Sequence, residues 1–181
     1  MQKIVLHYFG TVFAIYKSVR SFEEEYNMTP NILLTRIDNR MVHGQAFTWT
    51  KTLGANLIVC ADDILAEDKA TQTIMEMTAN TAGVAIRFFS IQKTIDVIHK
   101  ASPRQKIFIV CRNPQTVKAL VDGGVPITEF NVGNMHFTEG KVQISKKVFV
   151  DETDKADLKY IESKGVNVFI QDVPGDIKSK I

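Results

Sequence analysis

One stretch of the chain gathers the residue types that phosphorus chemistry requires. Arg36-Ile37-Asp38-Asn39-Arg40-Met41-Val42-His43-Gly44-Gln45 carries two arginines, a carboxylate, a histidine and a glycine. A neutral imidazole nitrogen is a good nucleophile toward phosphorus, and an ordinary histidine is largely neutral near pH 7. A phosphoryl group in transfer is anionic on its equatorial oxygens, so its catalysis is mostly positioning and electrostatics. Arg36 and Arg40 offer forked donors for those oxygens. Asp38 is a poor phosphate ligand, but it can orient an arginine or fix the imidazole tautomer. Gly44 lets the backbone approach a phosphate closely. A helix beginning there would present unpaired N–H groups to an anion. A solvated surface loop, or a histidine that only caps a helix, would use the same residue types. The residues by themselves leave all three readings open.

The surrounding pattern decides where this stretch sits. Ile32-Leu33-Leu34 before it reads as a strand, and Ala46 to Leu53 after it reads as a helix. Further strand-like runs are Leu57–Cys60, Val84–Phe89, Ile107–Cys111, Phe130–Val132, Val148–Val150 and Val166–Ile170. They are short, rich in Val, Ile and Phe, and mostly apolar on both faces, as suits parallel strands covered on both sides. Helical patterns lie between them. One spans Ile64 to Ala79, with Ile74 and Met77 set against charged Glu67, Asp68 and Glu76. Ser90 is placed to cap Ile91–Lys100, with Ile91, Ile95 and Ile98 on one face. Asn113-Pro114 opens a helix that Gly123-Gly124 stops, and Asp151 caps another that ends before Gly165. The alternation predicts an α/β fold: a single open, mostly parallel β-sheet with helices on both faces and right-handed crossovers. In such sheets ligands sit beyond the carboxyl ends of the strands. Arg36–Gln45, Asp62-Asp63 and Asn131–His136 each follow a strand in that sense, so their loops are expected on one edge.

The whole chain narrows the classes. Its 181 residues, 45% hydrophobic and 23% charged, fit one soluble domain with a sizeable core. A net charge of +2 without a long basic run argues against nucleic-acid binding. No apolar run reaches the roughly 18 residues of a membrane helix, so no direct membrane insertion is expected. Cys60 and Cys111 end apolar runs and read as buried thiols in a reducing compartment, with no metal-type spacing. Residues 1–27 differ from the rest: Ile4–Tyr16 is apolar and aromatic, and Lys17–Asn27 is polar. A signal peptide and a docked extra element are two readings of this segment. The preferred one is an idle extension upstream of a natural start at Met28, with the domain spanning 28–181. Glu23-Glu24-Glu25 just before Met28 would be encoded by purine-rich codons, as a bacterial ribosome-binding site is. Isolation from cells of a protein that begins at Met1 would overturn this expectation.

Other candidate residues have plainer roles. Gly133 and Asn134 suit a backbone wall for a phosphate pocket, or an ordinary turn. His136 lacks nearby arginines and is expected to be structural and partly exposed, and His99 to sit near a helix end. Asp62-Asp63 has no third metal ligand at a suitable spacing, so helix capping by Asp63 is expected. Trp49 is a core residue or a docking anchor. Neither Gly-x-x-x-x-Gly-Lys-Ser/Thr nor a Gly-x-Gly-x-x-Gly after the first strand is present. That points away from a nucleotide as the phosphoryl donor, and no cofactor or metal is expected.

The run Arg36-Ile37-Asp38-x-Arg40-x-x-His43-Gly44-Gln45 with Trp49, together with Asn131-Val132-Gly133-Asn134-Met135 and Gly165-Val166-Asn167-Val168, resembles the IIB component of the mannose/sorbose family of the bacterial sugar phosphotransferase system. The similarity runs from Asn31 to about Asp176. Gly133-Asn134-Met135-His136 and Gln171-Asp172-Val173-Pro174-Gly175-Asp176 resemble its N-acetylgalactosamine/galactosamine branch. Asn39 and Met41 stand where relatives often carry Asp and Leu. The resemblance implies that His43 takes a phosphoryl group, on Nδ1, from a histidine of EIIA. It would pass that group to a sugar held by the membrane components EIIC and EIID, as a protein-phosphohistidine–sugar phosphotransferase. Arg36 and Arg40 would steady the phosphoryl, Asp38 would orient the loop, and Gly44 and Gln45 would border the phosphate. The partners would be separate chains, and the protein would be cytoplasmic, recruited to the inner face of the membrane.

Two other classes fit the residues. A histidine phosphatase or mutase also sets arginine and histidine beside glycine, but with the pair adjacent, whereas Met41 and Val42 separate Arg40 from His43. A non-catalytic regulatory module on the same sheet would bind without covalent labelling.

Overall fold

Strands made only of Ile, Val, Leu and Phe have no polar face to show water, so both sides must be covered. The computed structural model, which describes residues 29–181, meets this demand with layers on either side of one sheet. In chain order the elements are β1 (Ile32–Asp38), α1 (Gly44–Leu53), β2 (Leu57–Ala61), α2 (Asp63–Glu67), α3 (Lys69–Thr81), β3 (Ala85–Phe89), α4 (Ile91–Ile98), β4 (Ile107–Cys111), α5 (Pro114–Asp122), β5 (Glu129–Asn134), β6 (Val142–Ser145), β7 (Val148–Val150), α6 (Glu152–Ser163) and β8 (Asn167–Ile170). The main sheet has six strands in the order β3-β2-β4-β1-β5-β8, and every neighbouring pair is parallel.

The central strand β4 is buried along its whole length. Its side chains alternate between the faces. Ile107, Ile109 and Cys111 pack with Ile98 of α4, Val117 and Leu120 of α5, and Leu158 and Ile161 of α6. Phe108 and Val110 pack on the opposite side with Ala46 and Trp49 of α1, Leu65 of α2 and Ala79 of α3. Each such apolar side chain contributes about 1.5–3 kcal/mol by leaving water. The chain leaves β1 through α1 on one face and leaves β4 through α5 on the other. Because β1 and β4 are neighbours, a crevice opens between their carboxyl ends, where this class of sheet binds ligands. β8 lies at an edge, and Ser179 pairs with Ile170 through two backbone bonds of 2.8 and 3.0 Å that cover part of it.

The helix starts follow the expected chemistry at Ser90, at Asn113 with Pro114, and at Asp151, which forms a reciprocal capping box with Asp154. Three elements differ from expectation. The segment 64–79 is two helices, because Asp68 accepts hydrogen bonds from the Thr71 N–H and hydroxyl and so begins a new helix instead of riding inside one. The apolar residues expected to bury there, Ile74 and Met77, are 66% and 67% exposed. Asp62, not Asp63, caps α2, and Asp63 instead accepts from the Ile91 N–H at 2.9 Å. β7 lies outside the main sheet in an antiparallel hairpin with β6, whose Val142-Gln143-Ile144 is exposed and too mixed to read as a strand. The reading of residues 1–27 lies outside the described residues. Among the described residues no helix is long and apolar enough to cross a membrane.

Candidate active site

β1 ends at Asp38, and the next five residues fold back on it. Met41 makes the reversal in the left-handed region, with φ 56°, its side chain buried and its N–H on the Asp38 carbonyl at 2.8 Å. A non-glycine residue holds that conformation only when its surroundings fix it, and such residues cluster at functional loops. The chain then reaches His43, the extended N-cap of α1. His43 Nε2 lies 2.8 Å from Asp38 Oδ2. A carboxylate can only accept, so Nε2 carries the hydrogen and the neutral ring keeps its lone pair on Nδ1. Nδ1 receives only a long contact, 3.4 Å, from the Gln45 N–H. It therefore sits among the first-turn N–H groups of α1, which have no acceptor within the helix. The ring is 21% exposed, open enough for a partner to reach.

Asp38 is buried and fully engaged. Its Oδ1 accepts from the Arg40 N–H at 3.1 Å and from Asn134 Nδ2 at 3.3 Å. Arg36 Nη2 stands 3.5 Å from its Oδ2, an ion-pair distance. β1 alternates, so Arg36 and Asp38 share a face, and that face points into the protein. Arg36 is 1% exposed. It donates through Nη1 to Asn131 Oδ1 and to the Gln171 carbonyl, and it stacks 5.3 Å from the centre of the Trp49 ring. Burial lowers its pKa, opposed by the Asp38 and Asp172 carboxylates. Of the two arginines expected at the phosphoryl, Arg36 lies buried beneath the site, paired with Asp38 and held by Asn131 and Gln171. Arg40 is exposed, and its guanidinium has no partner among the described residues.

The remaining expected residues fall into place around this centre. Gly133 is tight against Arg36, since a Cβ there would meet Cζ at 1.9 Å. With Asn134 it walls the Arg36–Asp38 pair. Gly44 has open space around it, with nothing within 4 Å of a Cβ position, so packing does not demand the glycine. Gln45 donates from Nε2 to Asp172 Oδ1 at 3.0 Å, and Lys147 pairs with the same carboxylate at 2.7 Å. Burial pushes the Asp172 pKa up, but the bonds from Lys147 and Gln45 outweigh it and hold it below the ordinary value. Trp49 is a core residue, and its Nε1 donates to the Asp172 carbonyl at 3.3 Å.

His136 is exposed, and its Nε2 is 3.2 Å from Asn134 Nδ2. His99 is the C-cap of α4. Cys60 and Cys111 are wholly buried, and burial raises both thiols well out of the reactive range. Among the described residues no group of His, Cys, Asp and Glu is arranged to hold a metal. Asn131, Lys147 and the Gln171 carbonyl were not anticipated. The one visible signal was Asn131, a polar residue inside an otherwise apolar strand, which needs a buried partner.

The chain is similar to known proteins over most of its length. The chain is 62% identical to the N-acetylgalactosamine-specific phosphotransferase enzyme IIB component 1 of Escherichia coli, over 84% of this chain and 98% of that protein. It is 49% identical to the IIB component 2 of the same bacterium, over 80% of this chain and 92% of that protein. The crystal structure of the PTS system N-acetylgalactosamine-specific IIB component 1 from Escherichia coli superimposes with a TM-score of 0.82, covering 83% of this chain and 99% of that one. The family model described as PTS system sorbose subfamily IIB component matches residues 32–181. The chain belongs to the sorbose subfamily of IIB components of the sugar phosphotransferase system.

Proposed function

We propose that His43 is the phosphorylated residue of this IIB component. Nδ1 attacks the phosphorus of a phosphohistidine on EIIA, a new N–P bond forms as the donor's N–P bond breaks, and the group is later passed to a sugar hydroxyl. The observation that carries this reading is the Asp38–His43 pair: the carboxylate holds the hydrogen on Nε2 and leaves Nδ1 as the nucleophile, aimed at a helix start. As charge builds on the phosphoryl oxygens, the Gly44 and Gln45 N–H groups and Arg40 answer it. Asp38 accepts from the imidazole throughout and so steadies the phosphorylated ring. Arg36 acts one step removed, by holding Asp38 in place.

The names of the relatives support N-acetylgalactosamine as the sugar. The acceptor would be presented by EIIC and EIID, with the IIB chain working in the cytoplasm at the inner face of the membrane. The test is direct. The protein is incubated with phosphoenolpyruvate, the general phosphotransferase proteins and the cognate EIIA, and then weighed intact under neutral conditions. A gain of one phosphoryl that His43→Ala removes is the expected result. A His43→Ala protein that still takes the group would refute the assignment.

A further inference from the structure

Asn39 lies between Asp38 and Arg40, and every polar group it owns is engaged. Its N–H donates to the Asn134 carbonyl at 3.1 Å. Its carbonyl accepts from Arg112 Nη1 at 3.3 Å. Its Nδ2 donates to the Arg112 carbonyl at 3.0 Å, and its Oδ1 accepts from the His136 N–H. Only an amide can serve the last two at once, because a carboxylate has no donor. Arg112 directly follows β4, on the far side of the crevice from His43's strand. Its guanidinium is itself fixed by a fork on Asp62, with Nε at 2.7 Å and Nη2 at 2.9 Å. Asp62 in turn is buried and caps α2. The fork holds the Asp62 pKa down against the effect of burial and raises that of Arg112. Both charges therefore persist across the neutral range.

We propose that Arg112 is a positioning residue for the phosphoryl-accepting loop, acting through Asn39. The inference rests on His43 as the acceptor. The loop of residues 39–43 must keep Met41 in a left-handed turn and deliver His43 to Asp38, yet it is short and borders solvent. Bonds on both the side chain and the carbonyl of Asn39 fix the turn before the phosphoryl arrives, so that ordering is not required during transfer. Arg112 touches neither His43 nor Asp38. Its effect falls on the geometry of attack and not on the docking of the donor.

The experiment compares wild type, Arg112→Ala, Arg112→Lys, Asn39→Ala and the Arg112→Ala/Asn39→Ala double variant. Transfer from phosphorylated EIIA is followed by intact mass in rapid-quench time courses over a range of donor concentrations. Arg112→Ala is expected to slow the saturated rate about tenfold or more while KM for the donor changes less than about twofold. Arg112→Lys, which keeps the charge and loses the fork, is expected to be equally slow. The double variant is expected to be no slower than the slower single variant, since both remove parts of one clasp. A wild-type rate in Arg112→Ala, full recovery in Arg112→Lys, or a loss expressed only in KM would overturn the positioning role. If wild type itself gains no phosphoryl, the acceptor reading has failed instead.

Discussion

His43 and His136 follow neighbouring parallel strands, β1 and β5, and one chain of hydrogen bonds joins them: His43, Asp38, Asn134, His136. They nevertheless end in opposite states. Asp38 accepts from His43, so His43 is protonated on Nε2 and offers Nδ1. Asp38 also fixes the Asn134 amide, because a carboxylate requires the nitrogen to face it. That same nitrogen faces His136, whose Nε2 must then accept, leaving the hydrogen on Nδ1. The lone pair of His136 is thus spent on an amide, while that of His43 points at the start of α1. A carboxylate directly behind the ring, a half-buried setting and a helix N-terminus separate the proposed acceptor, His43, from the surface histidine after the neighbouring strand.

The sharpest way to break this contrast is to exchange the two rings for alanine. His43→Ala is expected to abolish phosphoryl uptake, whereas His136→Ala is expected to reach the wild-type stoichiometry, both read by intact mass. Equal labelling of the two variants would dissolve the distinction.

Next in size is the carboxylate between them. Asp38→Asn leaves the shape but turns one of the two accepting oxygens into a donor, so the bond that sets the His43 tautomer and those from Arg40 and Asn134 cannot all be kept, and a loss of about 100-fold or more in transfer rate is expected. The same change takes away the nearest counter-ion of the buried Arg36 charge, leaving only the field of Asp172, so stability should fall by about 3 kcal/mol in urea denaturation. Gly133→Ala tests the support beneath. Its methyl group would overlap a guanidinium that is fully buried and held by Asn131 and Gln171, so a loss of about 2–3 kcal/mol is expected. An unchanged denaturation midpoint would show that Arg36 moves freely.

The smallest effect concerns Lys147, which supports Asp172 and hence Gln45 on the His43 side alone. Asp172 is held below the ordinary aspartate pKa in the folded protein. Such a group stabilises the fold above its unfolded value, about 3.9, and the contribution is lost as pH falls through the lower folded value. Lys147→Ala should therefore cost less than about 1 kcal/mol at pH 7. The two denaturation curves should converge in acid below the folded pKa of Asp172. A gap that persists or widens in acid would assign the stabilisation to something other than the Asp172 carboxylate.

Much of this was legible in the residues. Runs of Val, Ile and Phe separated by helical periods marked the parallel sheet, and the capping residues marked three of the six described helix starts. The histidine loop stood out because its residue types suit phosphoryl chemistry, though a surface loop or a capping histidine would use the same ones. The burial of Arg36 was not anticipated, although the signal was there: Arg36 and Asp38 are two apart in a strand flanked by apolar residues, which puts them on one face and makes burial together the natural outcome. What no local pattern carries is contact across the sheet. The closeness of Gly133 to Arg36, and the saturation of Asn39 by Arg112 and His136, depend on register between strands whose contacting residues are 73 to 97 positions apart. The break at Asp68 escaped because side-chain capping and helix periodicity compete at that residue, and capping won.

The most direct measurement is the position of the phosphoryl on the ring. Long-range proton–nitrogen NMR of the phosphorylated, nitrogen-15-labelled protein distinguishes the two imidazole nitrogens of each histidine. The geometry of Asp38 and α1 predicts a phosphoryl on His43 Nδ1, with Nε2 still protonated against Asp38. A phosphoryl on His43 Nε2, or on His136, would contradict it.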